Sequence, residues 1–194
     1  MMMSMRKTLC LPLVLGVFLN LIGGGVSQGQ DTNKLELSSI GIRGGINLEH
    51  GGIPPSEKED FYQGDVFAVI NLPWGWDLPS GWESRFRLTV SAGALLAAGD
   101  KGFITEFTPN FAFTKWDWRL TIDAGGGGAY ISDYHFGRQD IGGPFQFIGF
   151  LGVTYHLPAN YSIGWRFHHM SDATIWGTHN RGVDFHMIEL SYRF

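Results

Sequence analysis

The feature that most limits what this chain can become is a series of period-two alternations with a greasy face and a charged one. Over residues 82–92, Trp82, Phe86, Leu88, Val90 and Ala92 share one side, while Glu83, Arg85, Arg87, Thr89 and Ser91 share the other. Successive residues of a β-strand point to opposite faces, so each such run predicts a strand lying between two different media. The pattern returns over residues 103–113, 118–124, 145–155 and 161–171, and in the last stretch to Phe194. Two weaker runs precede these, over 40–48 and 66–74. Helical periodicity is almost absent after residue 27. Eight alternating strands are expected to close into a small antiparallel barrel, because closure removes exposed sheet edges.

The first residues follow a different rule. Arg6 and Lys7 precede the apolar run LCLPLVLGVFLNLIG, and Gly25, Val26 and Ser27 offer small side chains for cleavage. Residues 1–27 therefore read as a cleaved secretory signal peptide and 28–194 as the barrel domain. The single cysteine, Cys10, lies in the leader. An exported barrel without cysteine has no disulfide to support it. The chain carries a net charge of -4, which excludes the basic footprint of a nucleic-acid binder. No later segment is long and apolar enough for a membrane helix. Barrel strands escape that test, since alternation averages their hydropathy toward zero.

A closed barrel can be built with its greasy face inward around a ligand, as in a lipocalin, or outward to lipid. Short connections near residues 115–117 and 157–160 alternate with long ones near 49–64, 130–143 and 172–183. Aromatic residues, among them Trp74, Trp76, Trp116, Trp118, Tyr155 and Tyr161, gather at the short-turn end as an interfacial girdle would. The chain ends in Phe194 after apolar residues at every second position, like the terminal strand of bacterial outer-membrane barrels. The opposite faces carry Glu83, Arg85, Arg87, Glu106, Arg119, Asp123, Arg166 and Glu189. Charges in that number are tolerable when paired inside and not when facing lipid. The expectation is all-β: an eight-stranded antiparallel transmembrane β-barrel of the bacterial outer membrane, crossing many times, with short periplasmic turns and longer extracellular loops.

The stretch FHHMSDATIWGTHNRGVDF, residues 167–185, crowds polar groups between two greasy strands. Counting by twos from Phe167 brings His169 and Ser171 to the lipid side, and counting back from Phe194 brings Asp184 there too. A hydroxyl, an imidazole and a carboxylate on neighbouring strands have the composition of a nucleophile, its base and its orienting acid. His168 and Met170 fall inward as filling. His186 sits below Asp184 in an interfacial position, and His179 lies in the loop. The histidines fall on different faces and no carboxylate-rich loop is present, so neither a metal nor another cofactor is expected.

The run His169-Met170-Ser171-Asp172-Ala173, then Asn180-Arg181-Gly182-Val183-Asp184 and a strand ending in Phe194, resembles the PagL-type lipid A 3-O-deacylases. The pattern of these outer-membrane barrels is His-x-Ser-Asn-Ala followed by Asn-x-Gly and an acidic residue. The resemblance implies Ser171 as nucleophile, His169 as general base and Asp184 as the acid that orients the imidazole. It implies Asp172, Ala173, Asn180 and Gly182 as the surrounding oxyanion and supporting groups. Two positions depart from the pattern. Asp184 is one methylene shorter than the family's usual Glu, and Asp172 replaces an Asn whose amide assists the oxyanion hole. A carboxylate has no proton to donate there. The implied activity is that of a serine esterase remodelling lipopolysaccharide by removing the 3-O-acyl chain of lipid A at the extracellular rim. Lipid A and outer-membrane lipids are the expected partners, nucleic acid is not, and pairing of two copies is compatible with the reading. Lys101, Arg138 and Arg181 fall in outer loops, where solubility explains them better than phosphate binding. The alternatives are a non-enzymatic structural barrel with a degraded site, a phospholipase with the same residues, and the soluble lipocalin-like binder.

Overall fold

The alternating runs become strands in the computed structural model, which describes residues 34–47, 58–78, 80–177 and 181–194. The expected leader, His179 and Asn180 lie outside the described residues. The strands are β1 (Glu36–Ile46), β2 (Phe61–Asp77), β3 (Glu83–Ala97), β4 (Asp100–Lys115) and β5 (Leu120–Ile131), then β8 (Phe145–His156), β9 (Tyr161–Ser171) and β10 (Gly182–Arg193). Between β5 and β8 a small ribbon is formed by β6 (His135–Phe136) and β7 (Gln139–Asp140). The eight long strands close as β1-β10-β9-β8-β5-β4-β3-β2, each antiparallel to its neighbours. This is the expected eight-stranded barrel, and Phe86, Phe107, Leu151 and Ile188 lie on its outer face as the count by twos requires.

Two details differ from the expectation. Arg119, counted with the inward charges, is exposed and adopts φ +53° where it ends the 3-10 turn Trp116–Trp118. The turn interrupts the alternation, so β5 starts at Leu120 and Arg119 never enters the lumen. The β3–β4 connection lies at the long-loop end yet consists of Ala98 and Gly99 alone, with φ of 52° and 88°. Paired left-handed residues give a two-residue turn whose twist matches the flanking strands. Three long loops and one tight hairpin therefore share that end.

The lumen is filled in two zones. Across the middle, Arg43 bonds to Asp65 at 2.8 Å, to Ser91 at 3.0 Å and to Glu106, and lies 3.6 Å from Glu189. Arg166 bonds to Glu189 at 2.6 Å and to Asp123 at 3.1 Å, with its guanidinium 3.9 Å from the centre of the Phe150 ring. Gln63 donates to both Asp65 and Glu106. All eight strands contribute to this layer, which locks the wall from within. Nearer the long-loop end the filling turns apolar, with Leu95, Ile104, Ile131, Met170, Phe185 and Met187 packed together. Phe61 and Phe136 close it, their ring centres 5.3 Å apart. The β5–β8 loop thus folds in as a lid on the lumen.

Around that lid, Arg138 donates its backbone N–H and its Nε to Glu59, each at 2.9 Å, and its Nη2 to Lys58 O at 2.7 Å. The Arg138 N–H and guanidinium hold the Glu59 carboxyl below its usual range. A depressed carboxyl stabilises the folded loop above the unfolded value and loses that contribution as pH falls through the folded one. Hydrogen exchange at the Arg138 amide, corrected for its intrinsic rate, is expected to quicken as pH drops below about 4, the ordinary carboxyl range. Unchanged protection there would show that the tether is not ionic. In the lumen, Arg43→Met leaves three carboxylates short of a partner. It is expected to destabilise the barrel by about 3–5 kcal/mol in urea unfolding, whereas Lys115→Met, at the short-turn end, should change little.

Candidate active site

Strand pairing decides which side chains of the 167–185 stretch meet. On β9, His168 and Met170 turn inward; on β10, Val183, Phe185 and Met187 do the same, and all but His168 join the apolar filling. The residues between them, His169, Ser171 and Asp184, therefore share the outer face. In the β9–β10 register Asp184 stands directly opposite His169, and Gly182 opposite Ser171. Direct opposition brings Cβ atoms within about 5 Å, and His169 Nδ1 lies 2.5 Å from Asp184 Oδ1. The shorter acid thus reaches the ring without the extra methylene. Bonding through Nδ1 leaves Nε2 as the nitrogen for proton transfer.

Ser171 follows His169 on the same face, one same-side interval of about 7 Å along the strand. Among the described residues its hydroxyl makes no hydrogen bond, and such bonds in ligand-free enzymes are often long, tightening around substrate. Ser171 and Asp184 are 7% and 3% exposed despite their outward direction, while the His169 side chain keeps 21%. Gly182 permits this close fit, because a Cβ there would come within 2.1 Å of Met170 O and 2.9 Å of the Ser171 Cβ. His186, the next outward residue on β10, lies among the Trp165 and Phe167 rings at 5.7 and 5.4 Å.

The residues after Ser171 form a strained turn. Ala173 and Thr174 have φ of 47° and 66°, a region that side-chain-bearing residues enter at a cost. Asp172 secures it. Fully buried, its carboxylate accepts from the Thr174 and Arg181 N–H groups at 3.0 Å each and from Arg181 Nε at 3.2 Å. Arg181 also bonds to Asp140 Oδ2 at 2.5 Å and to Trp176 O at 2.9 Å, so it is committed to the loops. Asp172 is accordingly a clasp whose charge Arg181 neutralises, and its position gives an oxyanion no donor from the side chain. Its own N–H is spent on Arg181 O, and those of Thr174 and Ile175 on Asp172. Of the N–H groups in residues 172–175, Ala173's has no hydrogen-bond partner among the described residues. Sequence reasoning located Ala173 but not the Arg181 clasp, for which the salt pair Asp172/Arg181 at a loop's two ends was the available sign. Among the described residues no group of three His, Cys, Asp or Glu side chains is arranged to hold a metal ion.

Asp172→Asn keeps an oxygen for both backbone donors and should leave the turn in place. Asp172→Ala leaves the Thr174 and Arg181 N–H groups without their acceptor and removes one of Arg181's two carboxylates, at a local cost of about 1–3 kcal/mol. Hydrogen exchange across residues 172–181 checks this: marked loss of protection in the Ala variant alone is the expected result.

The geometry can be set beside known proteins. A family model described as "Lipid A 3-O-deacylase (PagL)" matches residues 62–193. The curated protein "Lipid A deacylase PagL" of Bordetella bronchiseptica (strain ATCC BAA-588 / NCTC 13252 / RB50) is 30% identical over 159 residues, covering 78% of this chain and 84% of its own. The "Crystal structure of the outer membrane enzyme PagL" superposes with a TM-score of 0.61 at 18% identity, over 79% of this chain and 99% of that one. At that identity the superposition speaks for the fold.

Proposed function

Because the chain belongs to the lipid A 3-O-deacylase (PagL) family, we propose that it is an outer-membrane ester hydrolase that removes the 3-O-acyl chain of lipid A. The observation that carries the reading is the His169–Asp184 bond on the outer face beside Ser171. Asp184 holds the imidazole through Nδ1. His169 Nε2 takes the Ser171 proton as the hydroxyl oxygen attacks the ester carbonyl. The oxyanion that develops is received by the Ala173 N–H, the donor left unspent in the turn. Collapse breaks the ester C–O bond, His169 returns the proton to the departing sugar oxygen, and the acyl group remains on Ser171. Water, deprotonated by the same histidine, then attacks the acyl carbonyl. The bond to Ser171 breaks, His169 returns the proton to the Ser171 oxygen, and the fatty acid leaves.

A site on the outer wall suits a substrate that is itself part of the membrane. Lipid A in the outer leaflet diffuses laterally to the strands, and its acyl esters lie at the depth where headgroups give way to chains. The proposed site is at the extracellular rim, where water for the second step is close at hand. Lateral delivery dispenses with a central pocket.

Mass spectra of lipid A from cells expressing the chain should lose one 3-hydroxyacyl group, and Ser171→Ala should abolish that loss. Asp184→Asn, which keeps the shape but not the charge, should lower kcat on the order of 10⁴-fold. An unchanged lipid A spectrum with correctly folded wild-type barrel would overturn the esterase reading, and loss of a phospholipid chain instead would redirect it.

A further inference from the structure

Along its axis the lumen is electrically lopsided. The middle layer sets two arginines, Arg43 and Arg166, against four carboxylates, Asp65, Glu106, Asp123 and Glu189. Toward the short turns the balance reverses. Arg85 and Arg87 fall on the inward parity of β3 and Arg193 on that of β10, with Glu83 as the carboxylate beside them. Glu83 is already committed: Oε1 accepts from Arg85 Nε, and Oε2 accepts from Trp116 Nε1 at 2.8 Å. Two cations are left over. Among the described residues the Arg87 side chain makes no hydrogen bond or ion pair, and its Nε is buried without an acceptor. Asp123 and Glu83 attract it from beyond bonding distance. Arg193 reaches the Leu157 carbonyl at a long 3.5 Å, and its Nε is likewise buried and, among the described residues, unpartnered.

The groups around these arginines add donors. His156, at the end of β8, lies in the field of both Arg193 and Arg87. Its ring is stacked on Trp116, centres 5.1 Å apart, and the Arg193 guanidinium stands 5.7 Å from the centre of the same indole. His156 Nε2 is 2.7 Å from Thr121 Oγ1 and Nδ1 is 3.0 Å from Ser162 Oγ, while Thr121 continues to Thr114 at 2.8 Å. Even with a neutral imidazole, this chain holds four hydrogens for three bonds, so at least one remains to donate, at Thr114 or Ser162. Directly across the ladder from Arg87, the Asn71 side-chain oxygen is buried and also unpartnered among the described residues. An amide can turn either end toward a ligand. Surplus positive charge and surplus donors thus coincide at one end of the lumen.

Water answers hydrogen bonds but not charge. A carboxylate answers both on one side only, whereas these donors approach from β3, from β10 and from the chain joining β4, β5, β8 and β9. That arrangement suits an acceptor with oxygens on several sides, and guanidinium forks match phosphate geometry. We propose that the short-turn, periplasmic end of the lumen binds a phosphate-class oxyanion, held by Arg87 and Arg193 and met by a hydroxyl of the Thr114–Ser162 chain. The phosphate is a free ion or the headgroup of a phospholipid in the adjoining leaflet, since the Trp82 and Trp118 rings, 5.8 Å apart, mark the interface beside the mouth. The site lies at the other end of the barrel from Ser171 and stands apart from the esterase reading, so Ser171→Ala should retain it. The competing account is that Arg87 offsets the surplus carboxylates of the middle layer from a distance.

The test uses the whole barrel refolded in an uncharged maltoside detergent, with ionic strength held constant by chloride. Inorganic phosphate and a short-chain phosphatidylglycerol, kept below its micelle concentration, are titrated separately, and binding is read from the 31P line width. Saturable binding is expected, with a rise in the temperature at which gel mobility reports unfolding. Phosphate alone would identify a free ion, the lipid alone a headgroup, and both a site that takes either; each supports the proposal. Arg87→Gln and Arg193→Gln should each weaken binding about tenfold or more, the loss expected for a charged hydrogen bond. Lys115→Gln removes the same charge from the same end, where Lys115 donates to Ser80 O at 2.6 Å, and should leave the titration unchanged. Without phosphate, Arg87→Gln should melt no lower than the parent, because it removes a cation that lacks a bonded partner. Saturable binding of neither probe would overturn the proposal. Equal weakening by Lys115→Gln would overturn it too, by showing a diffuse field. So would an Arg87→Gln barrel that melts lower than the parent by the same margin with and without phosphate, since Arg87 would then be the distant counter-charge of the middle layer.

Discussion

The whole arrangement depends on one constraint: a guanidinium taken out of water must meet its carboxylates. Arg43 and Arg166 lie across the lumen of an eight-stranded barrel, too narrow to hold a channel. Asp65, Glu106, Glu189 and Asp123 arrive from four different strands to meet them. Removal of either arginine would leave carboxylates short of a counter-charge in a packed interior, so the register of the strands that carry them is tied to that layer. The lumen filled in this way is capped by Phe61 against Phe136, and the proposed mechanism places its chemistry on the outer wall. The direction in which Ser171 and His169 point is thus settled by what fills the inside.

Much of this was legible by counting residues in twos. The faces of β3, β4, β9 and β10 follow from the alternation, because a strand flanked by lipid and a packed polar lumen tolerates no slip of register. The same count put His169, Ser171 and Asp184 on one side. It failed at Arg119, where a 3-10 turn with a left-handed residue broke the period, and at the β3–β4 hairpin, where Ala98 gave no sign that it would take positive φ. Of the apolar upper lumen, Met170 was placed inward by the count, but the cluster it forms with Ile104, Phe185 and Met187 was not foreseen, because greasy residues on the inward face of separate strands give no sign in the sequence that they meet.

The two departures from the family pattern turn out to have local physical answers. Asp184 is shorter than glutamate, yet it stands directly across the ladder from His169, and cross-strand opposition supplies the closeness that an extra methylene would otherwise provide. Asp172 brings a charge where the family has an amide, yet that charge is buried against Arg181 and bound by two backbone donors. The first answer was not visible in residue types, because it depends on the strand register; the second had one sign, the opposite charges of Asp172 and Arg181 at the two ends of a loop.

The Asp172 clasp also bears on how the turn could serve catalysis. A left-handed residue in a strained turn reverts to a relaxed conformation unless its surroundings over-determine it. Here Arg181 joins Asp172, Asp140 and the Trp176 carbonyl, and Trp176 in turn donates to Phe145 O and lies over Gly143, where a Cβ would come within 2.6 Å of the ring. The turn is therefore tied to β8 and to the β5–β8 loop, not only to its own strand. That is the rigidity an oxyanion donor requires, since a preorganised N–H stabilises developing charge only if it need not reorient as the charge forms. It follows that, in the proposed mechanism, the cost of exchanging an amide for a carboxylate at 172 is moved from the oxyanion to the loop. The side-chain donor is lost, and a firmly held Ala173 N–H is what remains to replace it.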